Sequence, residues 1–175
     1  LGLSRLLFVP SARPPHKDSD EGVIAPAAQR MAWVELAIGH DPRFAADPIE
    51  VERPGPSYLV DTLETLGRRF AGEELVFVVG RDAFAEMGSW RAPQALFAAC
   101  HIAVTSRPPA AAGGLREWMP ECVRGDFELA PGGLSGLHRS AGTWLRMLKI
   151  KALEVSATAI RERLARGRSR RCDRP

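Results

Sequence analysis

Ser156, Thr158 and Arg161 stand at a spacing suited to holding an anion. They follow Lys151-Ala152-Leu153-Glu154-Val155, which reads as the last strand. They also open a helix over 156–166 whose Ile160 and Leu164 face inward. A strand-to-helix turn presents unpaired N–H groups and the positive end of the helix dipole. Two hydroxyl donors and an arginine on the same helical face would complete such a site. The same stretch also fits an ordinary Ser-capped helix with a solvated arginine.

Three other polar stretches close apolar runs in the same way. After Leu6-Leu7-Phe8-Val9 comes Pro10-Ser11-Ala12-Arg13-Pro14-Pro15-His16-Lys17, where prolines stiffen a loop carrying two groups able to meet phosphate oxygens. Leu75-Val76-Phe77-Val78-Val79 ends at Gly80-Arg81-Asp82. A glycine there admits close approach of a ligand, and an aspartate at a strand end can accept ribose hydroxyls. Trp90 could stack on a flat heteroaromatic ring. His101-Ile102-Ala103-Val104-Thr105 ends at Ser106-Arg107-Pro108, with Arg107 able to fork onto a phosphate. Each stretch has an ordinary counterpart: a solvated loop, an Asp helix cap, a core tryptophan, a surface arginine. Taken together, the four describe a pocket for a nucleotide with several phosphates.

The elements that must position these groups follow from periodicity. The apolar runs at 6–9, 75–79 and 101–105 suit buried strands, and Ile49 to Glu52 is a further short strand candidate. From Ala25 to His40, Ala27, Met31, Val34 and Ile38 recur at helical spacing. After the Pro54-Gly55-Pro56 turn, Ser57 is the expected N-cap of a helix with Val60, Leu63, Leu66 and Phe70 on one face. A helix over 92–99 leads into the strand at 101. Residues 108–145 are rich in Pro, Gly and Ala and read as an insertion or a substrate-side lobe. Strands alternating with helices predict an α/β fold with a doubly wound parallel sheet, whose ligands sit beyond the carboxyl ends of the strands.

Composition bounds the partners. The chain has 175 residues, 45% apolar and 26% charged, enough for a single domain, 1–175, with a real core. The net charge of +3 is a diffuse excess that suits an anionic small molecule. Nucleic acid is not expected, since the only dense basic run is 161–174. Cys100, Cys122 and Cys172 are scattered and odd in number, with no zinc-type spacing, so no metal site and a reduced cytoplasmic setting are expected. No run reaches the roughly 18 apolar residues of a membrane span.

In this order the motifs resemble the bacterial nicotinate-nucleotide adenylyltransferases. The matching stretches are Phe8-Val9-Pro10 through Pro14-Pro15-His16-Lys17, then Arg30-Met31 with Ala37-Ile38, and Pro56-Ser57-Tyr58 with Asp61-Thr62-Leu63. Next come Val79-Gly80-Arg81-Asp82 with Trp90, Arg107-Pro108, and Val155 through Leu164 followed by Gly167 and Ser169. The SxTxIR-like ending is shared with related nucleotidyltransferases, whereas the PPHK, SY…DTL, GxD…W and RP elements in this order are specific.

The resemblance implies a Rossmann-like nucleotidyltransferase fold. It also implies transfer of the adenylyl group of ATP, a co-substrate accompanied by Mg2+, to nicotinate mononucleotide, giving deamido-NAD and pyrophosphate. Attack would be in line, with no covalent enzyme intermediate, which asks for positioning and charge neutralisation. By resemblance, Lys17, Gly80, Asp82, Ser156, Thr158, Ile160 and Arg161 would bind ATP, with His16 and Arg161 acting at the transferred phosphate. Ser11, Tyr58, Leu59, Trp90 and Arg107 would form the mononucleotide side, with Trp90 stacked on the pyridine ring. A homo-oligomer is compatible with all of this.

The sequence departs from the family pattern in places. No HxGH motif occurs, and Leu1 aligns near the end of the helix that normally follows it, so the first strand is expected to be missing. That would leave two neighbouring strands with unpaired edges. Leu59 stands where the family commonly has Thr, and Cys172-Asp173-Arg174 replaces usual apolar residues. These departures motivate an alternative: a catalytically incompetent nucleotide-binding relative that contacts RNA through its basic C-terminus.

Overall fold

In the computed structural model the described residues are 1–13, 25–106, 113–150 and 160–163. Two sheets carry them. The smaller pairs β1 (Leu6–Phe8) with β2 (Phe44–Ala46) in parallel, Leu6 opposite Phe44 and Phe8 opposite Ala46. The larger contains β3 (Val76–Gly80), β4 (His101–Ser106), β5 (Phe127–Leu129), β6 (Ser135–His138) and β7 (Trp144–Lys149), in the order β3-β4-β7-β6-β5. The pairings β3–β4 and β4–β7 are parallel, while β7–β6 and β6–β5 are antiparallel. The parallel expectation therefore holds at the site side of the sheet, and an antiparallel meander extends its far edge. Its strands β5 and β6 and the start of β7 fall in 108–145, which sequence read as an insertion or lobe because glycines and short runs there give no clear period. The strand expected at 151–155 lies outside the described residues. In this sheet the neighbour of β4 opposite β3 is β7.

β4 is the interior strand of the parallel part, and Ile102, Ala103 and Val104 are fully buried. This is the outcome the unbroken apolar run predicts. β3 reads just as apolar in sequence, yet Val78 is exposed, because β3 has a hydrogen-bonded neighbour on one side only among the described residues. β1 likewise pairs only with β2 and is half-buried throughout. Among the described residues β1 and β3 each have a hydrogen-bonded neighbour on one side, and a cavity of about 870 Å³ lies between the two strands, with Leu6 and Leu7 on one wall and Val76 and Phe77 on another.

The helices follow their stripes. In α1 (Ala27–Ile38), Ala27, Met31, Val34 and Ile38 turn to the half-buried side, as the spacing predicts, although no residue of the helix is fully buried. In α3 (Leu59–Arg69), Leu63 and Leu66 reach the core with Thr62. Short helices α4 (Arg81–Glu86) and α5 (Pro93–Ala99) flank β3 and β4, and α6 (Leu115–Trp118) and α7 (Glu121–Arg124) precede β5. The core is a cluster around Phe84, Met87, Leu96, Phe97, Val123 and Phe127, where Phe97 meets both Phe84 and Phe127 with ring centroids 5.9 Å apart.

Two local expectations are corrected. Ile49–Glu52 is a helix, α2, and not a strand; the partner of β1 is the preceding Phe44–Ala46. Asp47 Oδ1 accepts the Ile49 N–H at 3.0 Å, and the Glu52 N–H reaches the Pro48 carbonyl at 2.9 Å. Pro48 is the N-cap of α2, and the Asp47 side chain just before it holds the first helical N–H in an Asx-type turn, a start that overrides the β-branched Ile and Val. Ser57, for its part, does not cap α3, whose N-cap is Tyr58. Its hydroxyl serves a different partner, the loop after β1. At the entry to β2, hydrogen bonds from Arg43 hold the Asp41 carboxyl down to about 2.

Candidate active site

One corner organises the cavity wall beyond the end of β1. Ser57 Oγ accepts the backbone N–H groups of Ala12 (3.0 Å) and Arg13 (3.1 Å), and the Ser57 N–H donates to the Arg13 carbonyl at 2.9 Å. Arg30 Nη2 donates to the Ala12 carbonyl at 3.3 Å and its Nε to the Ala25 carbonyl at 3.0 Å. The chain leaving β1 is thereby fixed against the start of α3, which sets Ser11 beside Tyr58.

Behind Tyr58 lies a buried polar relay. Arg53 Nη2 donates to Thr62 Oγ1 at 3.0 Å and to the Tyr58 carbonyl at 3.3 Å, while the Thr62 hydroxyl donates to Glu50 Oε1 at 2.7 Å. Thr62 is 2% exposed and Glu50 7%. An isolated charge at that depth is costly, and the relay compensates it through a hydroxyl. Arg53 Nη1 is buried with no hydrogen-bond partner among the described residues.

Beyond the end of β3, Trp90 packs its indole edge-on to Phe77, with centroids 6.4 Å apart, and joins the rim of the core. Arg91 follows, its guanidinium 4.6 Å from the Tyr58 ring centroid and 4.0 Å from Asp61 Oδ2. Ala92 then takes φ 52 and ψ 59, the only left-handed non-glycine among the described residues. Such a conformation costs about 1–2 kcal/mol and persists where the surroundings fix it. Here it turns the chain sharply into α5 and sets the direction in which Trp90 and Arg91 leave the backbone.

The expected site residues divide into four groups. Ser11, Tyr58, Leu59 and Trp90 are brought together on the wall of the cavity between β1 and β3. Trp90 packs against the core and also lines the cavity wall. Gly80 and Asp82 follow β3 as expected but do not line that cavity. Asp82 is 86% exposed and held by Arg81 at 2.8 Å, and it lies inside α4 rather than capping it. Gly80 has an ordinary φ of −74, and a Cβ there would meet nothing within 4 Å. Neither the turn nor packing among the described residues demands the glycine. Ile160 and Arg161 lie in a helical stretch, 160–163, away from the cavity wall. His16, Lys17, Arg107, Ser156 and Thr158 lie outside the described residues.

Sequence reasoning missed Glu50, Arg53 and Arg91. Glu50 was assigned to a strand, and Arg53 borders a turn. Arg91 carried a usable signal, its position next to the stacking candidate Trp90.

Among the described residues, no group of three or more His, Cys, Asp or Glu comes together as a metal would require, and no helix is long and apolar enough to cross a membrane. The cytidylyltransferase-like family model matches residues 1–163. Proteins named "Probable nicotinate-nucleotide adenylyltransferase" match nearly the whole chain. That of Geobacter sulfurreducens is 38% identical over 167 residues, covering 95% of this chain and 76% of its own length. That of Trichlorobacter lovleyi is 38% identical over 168 residues, covering 96% and 77%. That of Geobacter metallireducens is 39% identical over 168 residues, covering 95% and 76%. A family model across most of the chain and relatives at this identity agree with the mixed α/β sheet and its cavity: the chain belongs to the cytidylyltransferase-like family and, within it, to the nicotinate-nucleotide adenylyltransferases.

Proposed function

We infer that the protein transfers the adenylyl group of ATP to nicotinate mononucleotide, forming deamido-NAD in NAD biosynthesis. A phosphate oxygen of the mononucleotide forms a bond to the α-phosphorus, the bond from that phosphorus to the β-phosphate oxygen breaks, and pyrophosphate leaves. The reading is carried by the convergence of Ser11, Tyr58, Leu59 and Trp90 on one cavity wall, in a chain of this family. A cavity of about 870 Å³ is of the size that takes a nucleotide-scale ligand.

The mononucleotide side would be Trp90 and Tyr58, the indole offering its face to the pyridine ring, with Ser11 near the ribose phosphate and Arg107 nearby. ATP would lie over Gly80, where nothing among the described residues fills the space a side chain would take. Asp82 would exchange its exposed contact with Arg81 for ribose hydroxyls. Lys17, His16, Ser156, Thr158 and Arg161 would neutralise the phosphates, with Ile160 packing beside them. Mg2+ would arrive on the triphosphate, as it commonly does in phosphoryl-transfer sites, and supply further charge neutralisation there. The protein's part is to align the two substrates and to meet developing charge with donors already in place. A cytoplasmic setting is supported by the free Cys100 and Cys122.

The test is pyrophosphate release measured with ATP alone, mononucleotide alone and both, each with Mg2+. Release only when both are present is expected. Release from ATP alone at the same rate would replace this reading with a simple ATP hydrolase. A salt-sensitive RNA shift without nucleotide-dependent thermal stabilisation would favour the non-catalytic alternative.

A further inference from the structure

The end of β3 poses a question of charge balance. Arg81 Nε and Nη2 both donate to Asp82 Oδ1, at 3.0 and 2.8 Å. When ribose hydroxyls take that carboxylate, the guanidinium loses its anion. A hydroxyl replaces the donor that Arg81 supplied and is itself neutral, so it offers the cation nothing in return. The displaced guanidinium either returns to water or finds an anion on the same ligand.

The surroundings of Arg81 keep it in place through that exchange. Its guanidinium lies over the Trp118 ring, 5.6 Å from the centroid, and its side chain is 34% exposed beside the largely bare Asp82. Trp118 closes α6, is half-buried and packs against the core cluster. The start of α6 is fixed in turn. The Gly114 N–H donates to Glu117 Oε2 at 2.7 Å, and the Leu115 N–H donates to the Gly133 carbonyl at 3.0 Å. Gly113, at φ 123, passes so near the indole that a Cβ there would stand 3.1 Å from Trp118 Nε1. The indole is thus a fixed shelf, and lying on it consumes none of the N–H donors of Arg81. Its Nη1 donors carry no hydrogen bond among the described residues.

Gly80, Arg81 and Asp82 follow one another at the carboxyl end of β3, the side on which ligands sit in open α/β sheets. A nucleotide carries ribose and phosphate as neighbours, so one ligand presents a partner for each side chain. We propose that Arg81, seated on Trp118, is a further nucleotide-binding residue: as ribose hydroxyls take Asp82, its guanidinium turns to a phosphate oxygen of the same nucleotide. The proposal rests on the reading above in which Asp82 meets the ribose of ATP. The exchange leaves every group partnered, with hydroxyls on the carboxylate and phosphate on the guanidinium. The ion pair given up faces solvent and is readily exchanged. Trp118 acts through Arg81, as a positioning residue.

Calorimetric binding of adenosine and AMP to the full chain separates ribose from phosphate without requiring turnover. Arg81→Met should weaken AMP about fivefold, as for one solvent-facing ionic contact. The same variant should leave adenosine unchanged or slightly tighter, since it frees Asp82. Trp118→Leu should shift the AMP-to-adenosine ratio in the same direction, and Trp118→Phe, which keeps an aromatic shelf, should restore most of it. Arg81 lies outside the core cluster, so Arg81→Met should melt near wild type, which separates loss of contact from loss of fold. An AMP affinity in Arg81→Met that is unchanged or tighter, as when Arg81 merely competes for Asp82, overturns the proposal. So does an equal loss for adenosine and AMP. Asp82→Asn that leaves adenosine binding unchanged overturns the ribose reading beneath it, and wild type that binds neither ligand overturns both.

Discussion

Replacing Thr62 with valine tests the buried relay behind the site. The substitution keeps shape, so no cavity opens, and what changes is hydrogen bonding alone. Glu50 Oε1 loses its 2.7 Å donor, and Arg53 Nη2 loses its 3.0 Å acceptor while keeping the Tyr58 carbonyl at 3.3 Å. Hydrogen bonds to charged groups contribute about 1.5–3 kcal/mol each, and a buried methyl in place of the hydroxyl returns about 0.8 kcal/mol. Since Arg53 is only partly stranded, the net loss should be about 2–3 kcal/mol, read from urea unfolding as a lower midpoint at unchanged slope. Glu50→Gln and the double variant complete a cycle, and a coupling above about 1 kcal/mol is expected for groups in direct contact. A Thr62→Val loss below about 0.5 kcal/mol, the range of ordinary surface substitutions, would refute the argument that this hydroxyl links the buried Glu50 to the half-buried Arg53.

Other consequences follow from single contacts. Burial pushes the Cys100 thiol up to about 12, whereas Cys122 is exposed. In native protein at mildly alkaline pH an alkylating reagent should modify Cys122 and spare Cys100 until denaturant is added, as peptide mass mapping would show. Because Cys100 keeps its proton in the fold and loses it near 9 when unfolded, its contribution to stability should be complete below pH 9 and decline between 9 and about 12. A Cys100→Ala variant should lack that share of the alkaline decline. Gly88→Ala would place a Cβ 2.8 Å from Pro120 Cβ, against a rigid ring, and should cost about 1–3 kcal/mol in thermal or urea unfolding. Trp90→Ala should weaken mononucleotide binding about tenfold or more, in proportion to the stacking and apolar area lost; unchanged affinity would remove Trp90 from the substrate wall.

What could be read from sequence depended on whether the signal was local. The run at 102–104 is apolar without alternation, and its burial on both faces followed. The α1 stripe was legible for the same reason, since Ala27, Met31, Val34 and Ile38 share a face whatever they pack against. β3 shows the limit: Val76 to Val79 has the same character, but exposure of Val78 depends on which strand lies alongside, and that is a property of topology. At 49–52 a β-rich composition competed with an Asp-Pro start, and the Asp47 hydrogen bond decided for helix. The meander β5–β6–β7 was hidden because its strands are short and joined by glycine turns. The grouping of Ser11, Tyr58, Leu59 and Trp90 was visible through motif order, whereas the relay of Glu50, Thr62 and Arg53 joins residues whose partnership only the folded corner creates.

The central claim is direct adenylyl transfer, and ATP labelled at the α-phosphorus tests it most directly. The protein is incubated with Mg2+ and labelled ATP, with or without nicotinate mononucleotide, and label is followed in dinucleotide and in acid-precipitated protein. The account predicts label in deamido-NAD only when the mononucleotide is present, and none retained on the protein. Label held covalently by the protein without mononucleotide, or no labelled dinucleotide with both substrates present, would contradict it.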